Sequence, residues 1–260
     1  MQTHEPSSAS SDVQAWYLVG IDDTDNLQSR GTGFRARCLG ERIATAGLGR
    51  VHGISRHQLL VSPEIPYTSH NSSACLRVES NASAQAPLIE LCRNFLLSDS
   101  APGSDAGLCV AAPEQAAETV RRFGRRAQQE VLHRDEAVEL AEKGNIHLEG
   151  LTGDHGGMIG ALAAVGLRAA GEDGRFVWVS GIREHAGGRF SLEELLQVTG
   201  VERVETMDGR LIDDMSEMVD LGPWPRPIVR GGRAVLLVEE HNDDEICNWR
   251  VVDRAVIKQY

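Results

Sequence analysis

The apolar run Trp16–Ile21 (WYLVGI) stops abruptly in Asp22, Asp23, Thr24 and Asp25. Aromatic and β-branched residues in so short a run specify a strand. Three carboxylates cannot follow that strand into a core, so its C-terminal end has to open onto water, a cation or a ligand. In open α/β sheets, ligands bind just outside the carboxyl ends of strands. Closely spaced hard oxygen ligands suit Mg²⁺, which takes one or two carboxylates and fills its shell with water and phosphate oxygens. If the extended backbone continues, Asp23 and Asp25 share one side of the chain, and Asp22 and Thr24 the other. One pair could hold the metal while the other orients the loop; Asp23 and Asp25 are the expected ligands. The competing reading is a simple turn, because Asp bonds its own backbone readily. Adjacent carboxylates that repel one another weigh towards a nearby cation.

Beyond the acidic run, helix and strand patterns alternate. Residues 34–46 (FRARCLGERIATA) place Phe34, Cys38, Leu39 and Ile43 near one face and predict a helix. Strands are expected at 57–61, 73–78 and 108–111, and helices at 86–97 and over 113–142 with a break near 131–134. Residues 98–107 read as a loop, 158–165 as a helix of small residues, and 176–180 as a strand. Ser191 and Glu194 form a capping box for a short helix ending at Leu196. Residues 233–239 and 249–257 read as strands. Helices mixed with strands first, then mostly strands, predict an α/β, mixed α+β protein. We expect a disordered tail over 1–15, a nucleotide-binding region over 16–170 and a strand-rich region over 171–260.

Charge and cysteines set limits. The net charge of −12 argues against unaided tight binding to nucleic acid, which needs clustered Lys and Arg, unless a local basic patch exists. The five cysteines stand singly with no CxxC pair, so a zinc ribbon is not expected. That pattern, with no apolar leader, fits a reducing cytoplasm. The apolar stretch 158–167 is too short to span a bilayer. His57, His70 and His155 have no metal-ligand spacing and read as surface or loop histidines.

Two further segments are candidates for binding. Residues 153–166 (GDHGGMIGALAAVG) open a small-residue helix with glycines. Gly156, Gly157 and Gly160 would let a phosphate approach the backbone at a helix N-terminus; alternatively they permit tight helix packing. Residues 62–71 (SPEIPYTSHN) offer a polar loop after a strand, with His70 and Asn71 placed to contact a ligand. Thr24 joins these residues as a candidate.

GIDDTDN at 20–26, IPY at 65–67 and IGALAAVG at 159–166 occur in this order in one family. The chain resembles the archaeal isoleucine tRNA agmatinylcytidine synthetases, over roughly residues 16–238. The resemblance implies a kinase-like, ATP-binding α/β domain, expected over 16–170, with a ferredoxin-like α/β part, expected over the strand-rich 171–260. It implies ATP and Mg²⁺ at Asp22, Asp23 and Asp25, and phosphate near the turn at 156–160. The family activates a tRNA cytidine with ATP and attaches agmatine.

The departures are specific. The family carries a phosphorylated threonine after IDDTD; here Phe34 takes that position, in Gly31-Thr32-Gly33-Phe34-Arg35. The basic residues after IPY are replaced by Thr68-Ser69-His70-Asn71-Ser72, and those before IGALAAVG by Thr152-Gly153-Asp154-His155. Lost cations weaken attraction to a polyphosphate. Arg30, Arg35 and Arg37 could compensate if they point into the site. The expectation is thus an ATP·Mg²⁺-dependent phosphotransferase or amine-ligating enzyme acting on a small molecule or nucleotide. Its rivals are tRNA modification with a partner gripping the RNA, and a nucleotide-binding protein without catalysis.

Overall fold

The structure, a computed structural model, describes residues 13–65, 70–241 and 247–260. Most of the expected tail, Pro66 and Tyr67 of the IPY motif, Thr68 and Ser69, and the acidic run from Asn242 to Glu245 lie outside the described residues.

The chain begins with β1 (Gln14–Asp22), α1 (Thr32–Thr45), β2 (Arg50–Gln58), β3 (Ser72–Asn81), α2 (Gln85–Asp99) and β4 (Gly107–Ala111). These strands lie side by side as β4-β1-β3-β2, each neighbouring pair antiparallel. That is the split βαβ, ferredoxin-like arrangement, and it sits in residues 14–111. Next come α3 (Glu118–Ala127), α4 (Arg134–Lys143), β5 (His147–Gly150) and α5 (Gly157–Ala170). The period of two along β1 serves both faces. Val19 and Ile21 pack with α1 and α2, while Leu18 packs with α3, α4 and α5.

The small residues of α5 have a packing cause. A Cβ on Gly20 in β1 would lie 2.2 Å from the Ala161 carbonyl oxygen, and one on Gly166 would lie 2.3 Å from that of Val120. Only glycine lets β1 and α3 come this close to α5. The helix is buried along nearly its whole length.

The sheet continues without a break past residue 170, because β6 (Arg175–Trp178) pairs with β2. After it come β7 (Arg189–Ser191), α6 (Leu192–Val198), β8 (Arg203–Thr206), β9 (Met218–Asp220), β10 (Ile228–Arg230), β11 (Arg233–Glu240), β12 (Trp249–Val251) and α7 (Arg254–Ile257). Among the described residues, twelve strands make one sheet of a mixed α+β protein, with β8 joining parallel to β11 off the main path. The capping box forms: Ser191 Oγ accepts from the Glu194 amide at 3.2 Å, and Glu194 Oε2 from the Ser191 amide at 3.1 Å.

Three expectations change. The strand expected at 57–61 is β2, which ends at Gln58; Leu60 then leaves the sheet and donates to the Ala127 carbonyl at 3.0 Å. The strand expected at 249–257 stops at Val251, because Asp253 caps α7 by accepting the Ala255 amide at 2.6 Å. His57 is fully buried, not on the surface. Its Nε2 lies 2.8 Å from Ser55 Oγ and its Nδ1 2.8 Å from Asp173 Oδ2, fastening β2 to the segment after α5. His70 and His155 are exposed, as expected.

Candidate active site at the end of β1

Asp22 is the last residue of β1 and pairs with Gly107 of β4. Asp23 then takes a left-handed backbone, φ 47°, a conformation that Asp and Asn tolerate better than most residues. This turn breaks the alternation expected for an extended chain. Instead of splitting to opposite sides, Asp22, Asp23 and Asp25 line one cavity of about 280 Å³. His70, Asn71, Gly156, Gly157 and Gly160 line the same cavity. Eight of the nine residues singled out in the sequence therefore converge.

Thr24 is the exception. It is fully buried and does not line the cavity; its hydroxyl donates to Thr32 Oγ1 at 3.1 Å, and its carbonyl accepts from the Ala101 amide at 3.0 Å. These bonds hold the loop. Thr32, out of register with the family's phosphorylated threonine, nonetheless lines the cavity at the start of α1. Its hydroxyl donates to Asp25 Oδ1 at 2.8 Å and its amide to the same oxygen at 3.2 Å. Asp105, which reads as loop in the sequence, is the other addition. The local signal is an acid just before the apolar strand 107–111. Its importance depends on the pairing of β4 with β1.

The glycines act mainly by allowing approach. A Cβ on Gly160 would lie 1.7 Å from Asp22 Oδ2, and one on Gly157 would lie 2.5 Å from the Asp105 carbonyl oxygen. The first amides of α5 are already engaged: Gly157 donates to Asp105 O at 3.0 Å, Met158 to His155 O at 3.3 Å, and Ile159 to Gly156 O at 3.2 Å. A helix N-terminus binds phosphate through unspent amides, so here the close-packing reading is the stronger one. Asn71 likewise pins its own loop, donating from Nδ2 to the Leu60 carbonyl at 2.6 Å.

The cavity is strongly acidic, although Glu130 is paired with Arg126 at 2.6 Å. Asp22, Asp23, Asp25, Asp105, Glu64 and Glu130 line it, and no Lys or Arg does among the described residues. The nearby arginines turn elsewhere. Arg30 stacks on Phe34, 3.8 Å from the ring centre. Arg35 donates to the Asp99 carbonyl at 2.7 Å, and Arg37 to the Gly33 carbonyl at 3.1 Å. Burial, then the charge of Asp23, pushes the Asp22 carboxyl up to about 7. Burial, then the charges of Asp105 and Asp25, pushes Asp23 up to about 6.

These groups fit a divalent cation, which would favour the ionised carboxylates that the protein alone disfavours. Among the described residues, no three His, Cys, Asp or Glu side chains come together as a group that could hold a metal ion, so a cation here would rest on two carboxylates at most. Mg²⁺ sites are ordinarily open in this way, with phosphate oxygens and water supplying the rest. The raised carboxyls also make stability depend on pH. Both folded-state values lie above the ordinary value of 3.8, so their contribution to stability is full below about pH 4 and is lost as the pH rises through about 6 and about 7. Without metal, the carboxyls should lower stability between pH 5 and 8 by up to about 4 kcal/mol. Millimolar Mg²⁺ should recover part of that loss, which thermal melts across the range will read.

No protein-family model matches the chain, and no curated protein matches it. Solved structures do. Over 58% of its length the chain shares the fold of a synthetase that modifies tRNA. That protein is TiaS, the agmatidine synthetase of an isoleucine tRNA; its apo structure is 28% identical, with a TM-score of 0.50 and 35% of its length covered. The TiaS complex with tRNA and ATP matches at 28% identity and a TM-score of 0.51, over 58% of this chain and 36% of that one. The complex with tRNA, AMPCPP and agmatine matches at 27% and 0.50, over the same shares. The chain spans about a third of the length of these solved relatives. The resemblance read from the motifs is thus present in the fold. No helix among the described residues is long and apolar enough to cross a membrane.

Proposed function

We propose that the cavity at the end of β1 binds ATP with Mg²⁺ and that the protein uses ATP to join an amine to a tRNA base. The observation that carries this reading is the convergence of Asp22, Asp23, Asp25, Asp105 and Thr32 on one cavity, within a fold shared with a synthetase solved with tRNA and ATP. Asp22, Asp23 and Asp25 would be the acidic residues of catalysis, with Asp23 and Asp25 holding the metal. Bound there, Mg²⁺ would neutralise charge on the transferring phosphate. Asp25 orients the Thr32 hydroxyl towards the same space, and His70 and Asn71 border the nucleotide at the rim. The excess of carboxylates also attracts a cationic amine, the class to which agmatine, bound by the relative, belongs.

From the sequence, a small molecule or nucleotide came first as acceptor and tRNA second. The neighbours favour the reverse. With a net charge of −12, tRNA would have to be gripped largely outside this cavity, through a partner or a local basic patch. The test is ATP consumption by the purified protein with agmatine and an unmodified isoleucine tRNA transcript. Turnover that requires both supports the reading. Turnover with cytidine or CMP in place of tRNA selects a small acceptor. ATP binding without turnover on any acceptor selects the non-catalytic reading.

A further inference from the structure

A second cavity of about 570 Å³ lies between α1, β2, β6 and the loop before β8, and it shares no lining residue with the acidic one. Its electrostatics are the opposite. Arg37, Arg50, Arg77 and Arg168 line it against only two carboxylates, Glu41 and Glu202, in a chain whose net charge is −12. Arg168 is the informative residue. It projects from α5 with 5% of its surface exposed, and its Nε is buried with no hydrogen-bond partner. Its Nη2 donates to the Gly232 carbonyl at 3.1 Å. No carboxylate comes within 4.0 Å of it among the described residues. Burial holds the guanidinium below its ordinary range; Arg77 pushes the same way, while Cys75 and Glu202 act against it.

A buried cation left unpaired beside a second cation is costly to keep. An anion between the two would fill the open donor of Arg168 and add a second partner to Arg77, which stacks on Trp16 at 4.2 Å. The rest of the wall is flat and apolar: Phe176 is buried, with its ring centre 5.7 Å from the Arg168 guanidinium carbon, and half-buried Trp178 stands beside it in β6. Glu202 is held in place by accepting the Ala234 amide at 2.8 Å, and its other oxygen can take donors from a polar ring.

We propose that this cavity is a second ligand site, built for a nucleoside monophosphate. The phosphate lies between Arg168 and Arg77, and the base lies against Phe176 and Trp178. The excess of two positive charges among the lining side chains matches a phosphate monoester, which carries about two negative charges near neutral pH. The volume falls in the range of about 300–1,000 Å³ usual for small-molecule sites. A cationic amine is excluded by the same charges.

The test is calorimetric titration of the full chain with AMP in EDTA, with inorganic phosphate as the second probe. Wild type should bind one AMP without metal, more tightly than phosphate. Arg168→Met should bind AMP at least tenfold more weakly. Should that variant fail to fold, Arg77→Gln, half-buried in the cavity wall, should show the same loss. Trp178→Leu should weaken AMP but not phosphate, and Asp23→Asn should bind AMP as wild type does. The proposal is overturned if wild type does not bind AMP, if the arginine variants bind it unchanged, or if Asp23→Asn abolishes binding. Phosphate binding as tight as AMP would remove the base subsite.

Discussion

Asp23→Asn is expected to weaken Mg²⁺-dependent ATP binding by at least about tenfold, or ~1.4 kcal/mol, while the fold stays intact. Asp23 is the residue whose left-handed backbone, φ 47°, turns the acidic run into the cavity. Asn occupies that conformation as readily as Asp, so the turn survives the substitution. What disappears is one anionic oxygen in a site lined by six carboxylates and, among the described residues, by no Lys or Arg. In the metal-free protein at pH 8 the substitution also relieves repulsion from Asp105 and Asp25. The variant should therefore melt no lower than wild type there, even as it loses the nucleotide. Calorimetry and a melt on the same preparation separate the two effects. Unchanged affinity with an intact fold would remove Asp23 from the metal site.

Gly160→Ala should damage fold and site together. The added Cβ would lie 1.7 Å from Asp22 Oδ2, 2.5 Å from its Cγ and 2.9 Å from its Cβ. Rotating the carboxyl cannot relieve a clash that reaches back to the Cβ, and Asp22 is fixed by pairing with Gly107. Either α5 moves outward or the end of β1 distorts. Overpacking of this kind costs about 1–3 kcal/mol, and a chain of this size loses roughly 2–4 °C per kcal/mol. A fall of about 3–10 °C with loss of ATP binding is the expected result. Gly33→Ala is the matched control: its Cβ would meet only Val177 Cγ1 at 3.6 Å, an ordinary contact, at the start of a helix where Ala is the better residue. It should melt no lower than wild type.

The sequence carried much of this, and the limits have physical causes. A strand ending in acids was legible at residues 16–25 because both signals are local. The helices 34–46 and 86–97 were legible because their apolar periodicity is local too, and α1 and α2 overlap them almost completely. The capping box at Ser191 formed as written. Asp105 was not legible as a site residue because it reaches Asp23 only through the pairing of β4 with β1. The side on which each acid points was misjudged because one left-handed residue cancels the alternation of a strand. His57 was misread because a polar residue in a short strand announces nothing about Ser55 and Asp173, which satisfy it. The glycines of α5 left packing and phosphate binding balanced, and only the bonds already made by Gly157, Met158 and Ile159 decided between them.

The most direct measurement is calorimetric titration of the purified protein with ATP, in Mg²⁺ and again in EDTA. One molecule of ATP bound per chain in Mg²⁺, with affinity at least tenfold lower in EDTA, is the predicted result. Equal binding in both conditions, or none in either, would contradict an ATP·Mg²⁺ site at the end of β1.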